Sequence, residues 1–244
     1  MRIDKLLANS GYGSRKDVKK LLKSGSVQCN GKKITDAKTH VNPECDLVEV
    51  YGEQVVYKEF IYLLMNKPAG VISATEDDKL RTVIDLLEPE DVMKEPFPVG
   101  RLDRDTEGLL VLTNDGQLAH ELLSPKKHVP KTYYARIQGH VTEEDIKSFA
   151  SGVELDDGYM TKPGTLNIIM GGPISEIELT ITEGKFHQVK RMFEAVGKKV
   201  LYLKRISMGE LVLDPHLEKG HYRELTEEEL GKLSTRPPEK EDRS

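Results

Sequence analysis

The residues best suited to chemistry lie in Arg101-Leu-Asp-Arg-Asp105, where two carboxylates, Asp103 and Asp105, alternate with two guanidinium groups. Nearby cations favour the ionised form of an aspartate, and an ionised carboxylate can act as a nucleophile or a general base. Extended backbone would place Asp103 and Asp105 on one face. The segment runs into Leu109-Leu-Val-Leu112, an apolar run that reads as a buried strand. This spacing also fits a plain charged loop ahead of a core strand, so the remainder of the chain must decide.

Other chemistries lack their sequence signatures. No Gly-x-x-x-x-Gly-Lys-Ser/Thr loop, Gly-x-Gly-x-x-Gly turn, His-Glu-x-x-His pair or Gly-x-Ser-x-Gly elbow occurs. No nucleotide cofactor, catalytic zinc or serine nucleophile is therefore expected, and the cofactor and metal expectation is none. Cys29 and Cys45 are far apart and read as reduced thiols. No apolar run approaches the roughly 18 residues of a membrane span, and the N-terminus lacks a signal-type apolar core. The expectation is a cytoplasmic protein of one or two domains without membrane contact.

The elements that would position such chemistry begin with a basic module. The chain total is −5, yet residues 1–33 hold nine basic and two acidic side chains, leaving the remainder strongly acidic. A basic end on an acidic protein suggests a polyanionic partner. Ile3, Leu6 and Leu7 repeat at helical spacing, and Gly11 and Gly13 stop that helix. Ser14 opens a second helix as a capping residue with Asp17. This helix buries Val18, Leu21 and Leu22, keeps Lys16, Lys19, Lys20 and Lys23 largely outside that stripe, and ends at Gly25. Asn30-Gly31 marks a hairpin turn. Residues 51–59 read as a polar linker. Strands are expected at Phe60–Met65, Leu109–Thr113, Lys131–Gln138, Ser175–Thr182, Val200–Leu203 and Glu210–Leu213. Helices are expected over Gln117–Leu123, from Thr142 to Gly152, over His187–Ala195 and after Thr226. Residues 234–244 read as a disordered tail.

The pattern over residues 1–50 resembles the alpha-L RNA-binding module, shared with the fourth small-subunit ribosomal protein and several rRNA-modifying enzymes. It implies RNA contacts from Ser14, Arg15, Lys16, Lys19, Lys20, Lys23 and Lys32. Four further motifs follow in order: Asn66-Lys-Pro-Ala-Gly-Val-Ile-Ser73, Val99-Gly-Arg-Leu-Asp-Arg-Asp-Thr-Glu-Gly-Leu-Leu110, Lys131-Thr-Tyr-Tyr-Ala135 and Glu183-Gly-Lys-Phe-His-Gln-Val-Lys-Arg-Met192. Together with the module they resemble the RsuA-type branch of the rRNA pseudouridine synthases across nearly residues 1–230. The last motif looks most like that of the small-subunit 16S rRNA enzyme.

The resemblance implies an α+β chain: the small RNA-binding domain over 1–50, the linker, and a catalytic domain over 60–233. That domain would be built on a large mixed, mainly antiparallel sheet with flanking helices. It implies an isomerase that cuts the bond between uridine N1 and the ribose, turns the base and rejoins it through C5, with no cofactor. Asp103 maps onto the family's catalytic aspartate. Lys190 maps onto the cation that would pair with it, Tyr133 onto the aromatic floor for a flipped base, and Arg101 onto a residue that holds the flipped RNA. Whether Asp103 attacks sugar or base, or acts as a base, stays open. The expected partner is ribosomal RNA, 16S or a small-subunit assembly intermediate, met by a monomer. A 23S enzyme and a non-catalytic RNA-binding assembly protein are the alternatives.

Overall fold

The computed structural model describes residues 1–124 and 126–233; the expected disordered tail lies outside the described residues. The chain forms two compact units, one of Met1–Ile61 with Glu88–Glu95, the other of Tyr62–Leu87 with the chain from Pro96 onward.

In the first unit, α1 (Ile3–Asn9) and α2 (Arg15–Ser24) precede strands β1 (Val27–Cys29), β2 (Lys32–Lys33), β3 (Val48–Val50) and β4 (Glu53–Gln54). The strands form one antiparallel sheet in the order β2-β1-β3-β4. Ile3, Leu6, Leu7, Val18, Leu22, Val27, Val48 and Val50 make its core, with Leu21 partly buried beside them. Ser14 caps α2 by accepting from the Asp17 N–H, and Gly25 closes it in the left-handed conformation. The β1–β2 turn is Asn30-Gly31, both at positive φ, and Cys29 pairs with Lys32 across it. That is the two-residue primed turn such a dipeptide favours. β4 falls inside the stretch expected to be a linker: Glu49 and Val50 pair with Gln54 and Glu53.

The remaining elements are β5 (Tyr62–Lys67), α3 (Pro89–Val92), β6 (Phe97–Pro98), β7 (Glu107–Thr113), α4 (Gly116–Leu123), β8 (Lys131–Gln138), α5 (Glu143–Ser151), β9 (Thr165–Met170), β10 (Ile174–Ile181), α6 (Gln188–Ala195), β11 (Lys199–Met208), β12 (Leu211–Val212), β13 (Tyr222–Glu224) and α7 (Glu227–Leu233). Of these, α3 belongs to the first unit and the rest to the second. The second unit's sheet runs β13-β5-β7-β11-β8-β10-β9, with β6 on β7 and β12 on β11. Among the described strands its pairings are antiparallel apart from β7 with β11. The sheet is thus mixed and mainly antiparallel. β9 and β13 were not among the expected strands; they are the two edge strands of this order, and β9 leaves Thr165, Asn167, Ile169 and Met170 exposed, a pattern without clean alternation.

Burial follows position in the sheet. Every residue of β7 is buried, as its uninterrupted apolar run requires. β10 alternates from Ser175 to Ile181, which buries Ile177, Leu179 and Ile181 on one face. Gly108 is where β7 needs a glycine: its φ is +100°, and a Cβ there would lie 2.2 Å from the Arg205 carbonyl oxygen. The parallel pairing of Gly108 with Arg205 therefore depends on a bare backbone.

Candidate active site

The loop between β6 and β7 carries Asp103, and the Asn66–Ser73 motif holds it in place. Ser73 exchanges hydrogen bonds with the backbone of Leu102: its Oγ donates to the Leu102 carbonyl and accepts from the Leu102 N–H, both at 3.0 Å. The Gly70 N–H donates to the Arg104 carbonyl at 2.7 Å. The Asp103 carbonyl accepts from the Thr106 N–H at 3.1 Å, closing a turn. Lys67, fully buried at the end of β5, donates from Nζ to the carbonyls of Pro68, Asp103 and Thr106 at 2.9–3.0 Å. An ammonium has three donors, so all three are used. Burial pulls the Lys67 pKa down to about 8, while the charges of Asp103 and Asp105 oppose the fall.

The expected pair of Lys190 with Asp103 is present at 3.1 Å, and Lys190 also reaches Asp105 at 2.6 Å. His187 Nε2 lies 3.6 Å from the other Asp103 oxygen. Partial burial works against the Lys190 charge, but hydrogen bonds to Asp105 and Asp103 outweigh it and hold the pKa above the ordinary lysine value. Burial likewise works against the charge on Asp105, and the Lys190 contact outweighs it, so that carboxyl titrates below its usual range. One expectation needs correcting. Neither Arg101 nor Arg104 forms an ion pair with Asp103 among the described residues; the Arg104 Nε donates instead to the Gly70 carbonyl at 3.1 Å. The turn sends these sequence neighbours in different directions, and the cation comes from α6.

Asp103 opens into a pocket of about 70 Å³ lined by Arg101, Thr106, Tyr133, Ile181, Lys190 and Leu203, among others. Tyr133, buried on β8, is in the wall and Tyr134 is not, as strand alternation requires. Tyr134 meets Tyr202 edge to face at 6.1 Å. A wider cleft of about 830 Å³ shares Arg101, Asp103, Lys185 and His187 with this pocket and adds Arg104 and Phe186. The helix expected from His187 begins one residue later: His187 sits at φ +49° and precedes it. Among the described residues no cluster of three or more His, Cys, Asp or Glu could hold a metal ion. No helix is long and apolar enough to cross a membrane.

In the first unit Arg15, Lys16, Lys19, Lys20, Lys23 and Lys32 are exposed. Ser14 is exposed too, but its hydroxyl is engaged by Asp17. Two buried cations, Lys67 beneath the Asp103 loop and Arg205 on β11, carried no role in the sequence reading. Arg205 is 2% exposed and donates from Nε to the Leu109 carbonyl at 2.8 Å. For Lys67 the available signal was a basic residue closing an otherwise buried strand, which demands partners; Arg205, inside the part-exposed β11, had no such signal.

A basic two-helix module and a second unit whose carboxylate pocket sits on a mixed sheet define an RNA-modifying enzyme in outline. Residues 61–195 match the RNA pseudouridylate synthase family and residues 1–48 the S4 domain family. The chain belongs to the RNA pseudouridylate synthase family, in its RsuA-type branch. An RNA pseudouridine synthase of Bacillus subtilis is 60% identical over 96% of this chain and 98% of its own length. The ribosomal large subunit pseudouridine synthase B of the same organism is 40% identical over 95% of each chain. The ribosomal small subunit pseudouridine synthase A of Vibrio cholerae is 38% identical over 96% of this chain and 99% of that one. A pseudouridylate synthase crystal structure superposes with a TM-score of 0.68 at 35% identity, covering 96% of this chain and all of the other. The chain is accordingly a pseudouridine synthase, an isomerase.

Proposed function

We propose that this protein converts a specific uridine of ribosomal RNA to pseudouridine, with Asp103 as the catalytic residue. The observation that carries this reading is the Asp103 carboxylate at the mouth of a pocket, 3.1 Å from Lys190 and beside the buried Tyr133. The N1–C1′ bond breaks, the base turns, a C5–C1′ bond forms, the C5 proton leaves and N1 takes up a proton. The change is redox-neutral and consumes no water. A carboxylate can hold the fragments covalently or accept a proton, and Lys190 gives it a cationic partner at 3.1 Å. Tyr133 offers the flipped uracil a face to lie on. Arg101, exposed at the pocket rim, is placed to meet RNA phosphate.

The target we assign is 16S rRNA or a small-subunit assembly intermediate, supported by the His187-Gln-Val-Lys-Arg-Met192 form of the last motif. The large-subunit relative at 40% identity favours 23S rRNA as the second reading. We read the acting form as a cytoplasmic monomer. The exposed lysine face of α2 would dock the RNA by its phosphates.

The test is tritium release from 16S and 23S rRNA labelled at uracil C5, offered naked and as partly assembled subunits. Wild type should release tritium from 16S-containing substrates only. Asp103→Asn should abolish release while RNA affinity stays within about twofold. Full-rate product from Asp103→Asn would remove Asp103 from the chemistry, and release from 23S alone would move the target to the large subunit.

A further inference from the structure

Phe186 is an exposed aromatic on a braced loop. Its side chain lies at the cleft that holds Asp103 and is 71% exposed. Its ring stacks on His187, centroids 3.8 Å apart and planes 18° from parallel, and His187 in turn faces Asp103 at 3.6 Å. The loop beneath is fixed from both sides. Buried Gln188 accepts from the Lys185 N–H at 2.8 Å and donates to Glu183 at 2.7 Å. Glu183 also accepts from the Lys162 N–H and the Tyr159 hydroxyl, and the Lys185 ammonium sits 4.5 Å over the Tyr159 ring. His187 adopts a left-handed backbone, uncommon for a residue other than glycine. This bracing presents a large apolar ring to the cleft, one face covered by His187.

The rest of the cleft states what the open face would meet. Arg101 and Arg104 are exposed along it, which suits a phosphate backbone, and its floor is the pocket assigned to the flipped uracil. A chain whose uridine has been extruded presents a neighbouring base with an unstacked face. We propose that Phe186, backed by His187, is a stacking platform for the nucleobase flanking the target uridine, so that it stabilises the flipped conformer and fixes which uridine enters. The proposal rests on the RNA-isomerase reading of the same site and adds a residue that touches substrate without taking part in bond changes. Base–aromatic stacking is sequence-tolerant, so Phe186 contributes to positioning more than to base identity.

The chain contains no tryptophan, so Phe186→Trp creates a single tryptophan reporter at this position. Saturating that variant with the tritium-labelled 16S and 23S rRNA should quench its emission by stacking. In the tritium assay Phe186→Ala should lose about tenfold or more in kcat/KM, and Phe186→Tyr, which keeps the ring, should restore most of it. Unquenched F186W emission at saturating RNA would overturn the proposal. So would wild-type kinetics in F186A, or an equal loss in F186A and F186Y. Should wild type release no tritium from either RNA, the rRNA reading fails, while quenching of F186W by the same RNAs still decides the stack.

Discussion

Asp103 meets its charge partner only because a second lysine shapes its loop. Lys190 supplies the charge, and Lys67 supplies three donors to the backbone around it. Lys67→Met would leave buried carbonyls unpaired, each costing about 1–3 kcal/mol. The expected result is a loss of several degrees in Tm and roughly a hundredfold in kcat, since a loop displaced by about 1 Å misplaces the carboxylate. The Lys67 pKa of about 8 also gives a pH test. Above that pH the ammonium loses one of its three donors, so the wild-type rate should fall through about pH 8. Stability responds in the opposite sense. The unfolded lysine keeps its proton to about pH 10.4; between these values the unfolded state binds more protons, and this group's contribution to stability rises with pH. A pH–rate profile flat to pH 10 would contradict the clamp. For Lys190→Met, Asp105 loses the contact that holds its carboxyl below the usual range and Asp103 loses its partner at 3.1 Å, so kcat should fall about tenfold or more as the carboxylate loses its positioning. A wild-type kcat in this variant would show that Lys190 does not organise the site.

At the scale of elements, the strand pairing of β7 with β11 and the cap of α2 are the contacts most open to test. Gly108→Ala would push a methyl group onto the Arg205 carbonyl in a backbone conformation that alanine rarely adopts. We expect a destabilisation of about 3 kcal/mol or more, read as a large fall in Tm or as insoluble protein; a wild-type Tm would mean that the two strands are not in this register. Ser14→Ala should cost about 1 kcal/mol through loss of the α2 cap. This complicates any RNA-binding role for Ser14, whose hydroxyl already serves Asp17. Comparing RNA affinity with urea stability in the same variant separates the two effects.

For the whole molecule, charge segregation is the dominant feature: a basic segment over residues 1–33 on a chain with a net charge of −5. Changing Lys16, Lys19, Lys20 and Lys23 together to glutamine should weaken RNA binding and reduce the salt slope by about 1 for each phosphate contact removed, with little change in kcat at saturating RNA. An unchanged slope would move the docking surface elsewhere. On the proposed reading, labour is divided between units: the exposed lysines of α2 would attract phosphate and the Asp103 pocket would carry out the isomerisation.

What the amino-acid sequence determined by itself was local: the Ser14 and Thr226 helix starts, the Asn30-Gly31 turn, and the alternation of β8 and β10, which lets only one of Tyr133 and Tyr134 line a pocket. Each depends on residues within a few positions of one another, where backbone geometry leaves few options. The four motifs in order were enough to identify the family, and the resemblance they carry pointed to Asp103, Lys190 and Tyr133. The tertiary structure alone decided that neither adjacent arginine pairs with Asp103, that Lys67 holds carbonyls 36 and 39 residues further along the chain, and that β9 and β13 complete the sheet. Those outcomes follow from strand order, which brings distant segments into contact; no local periodicity encodes which carbonyl a buried ammonium will find.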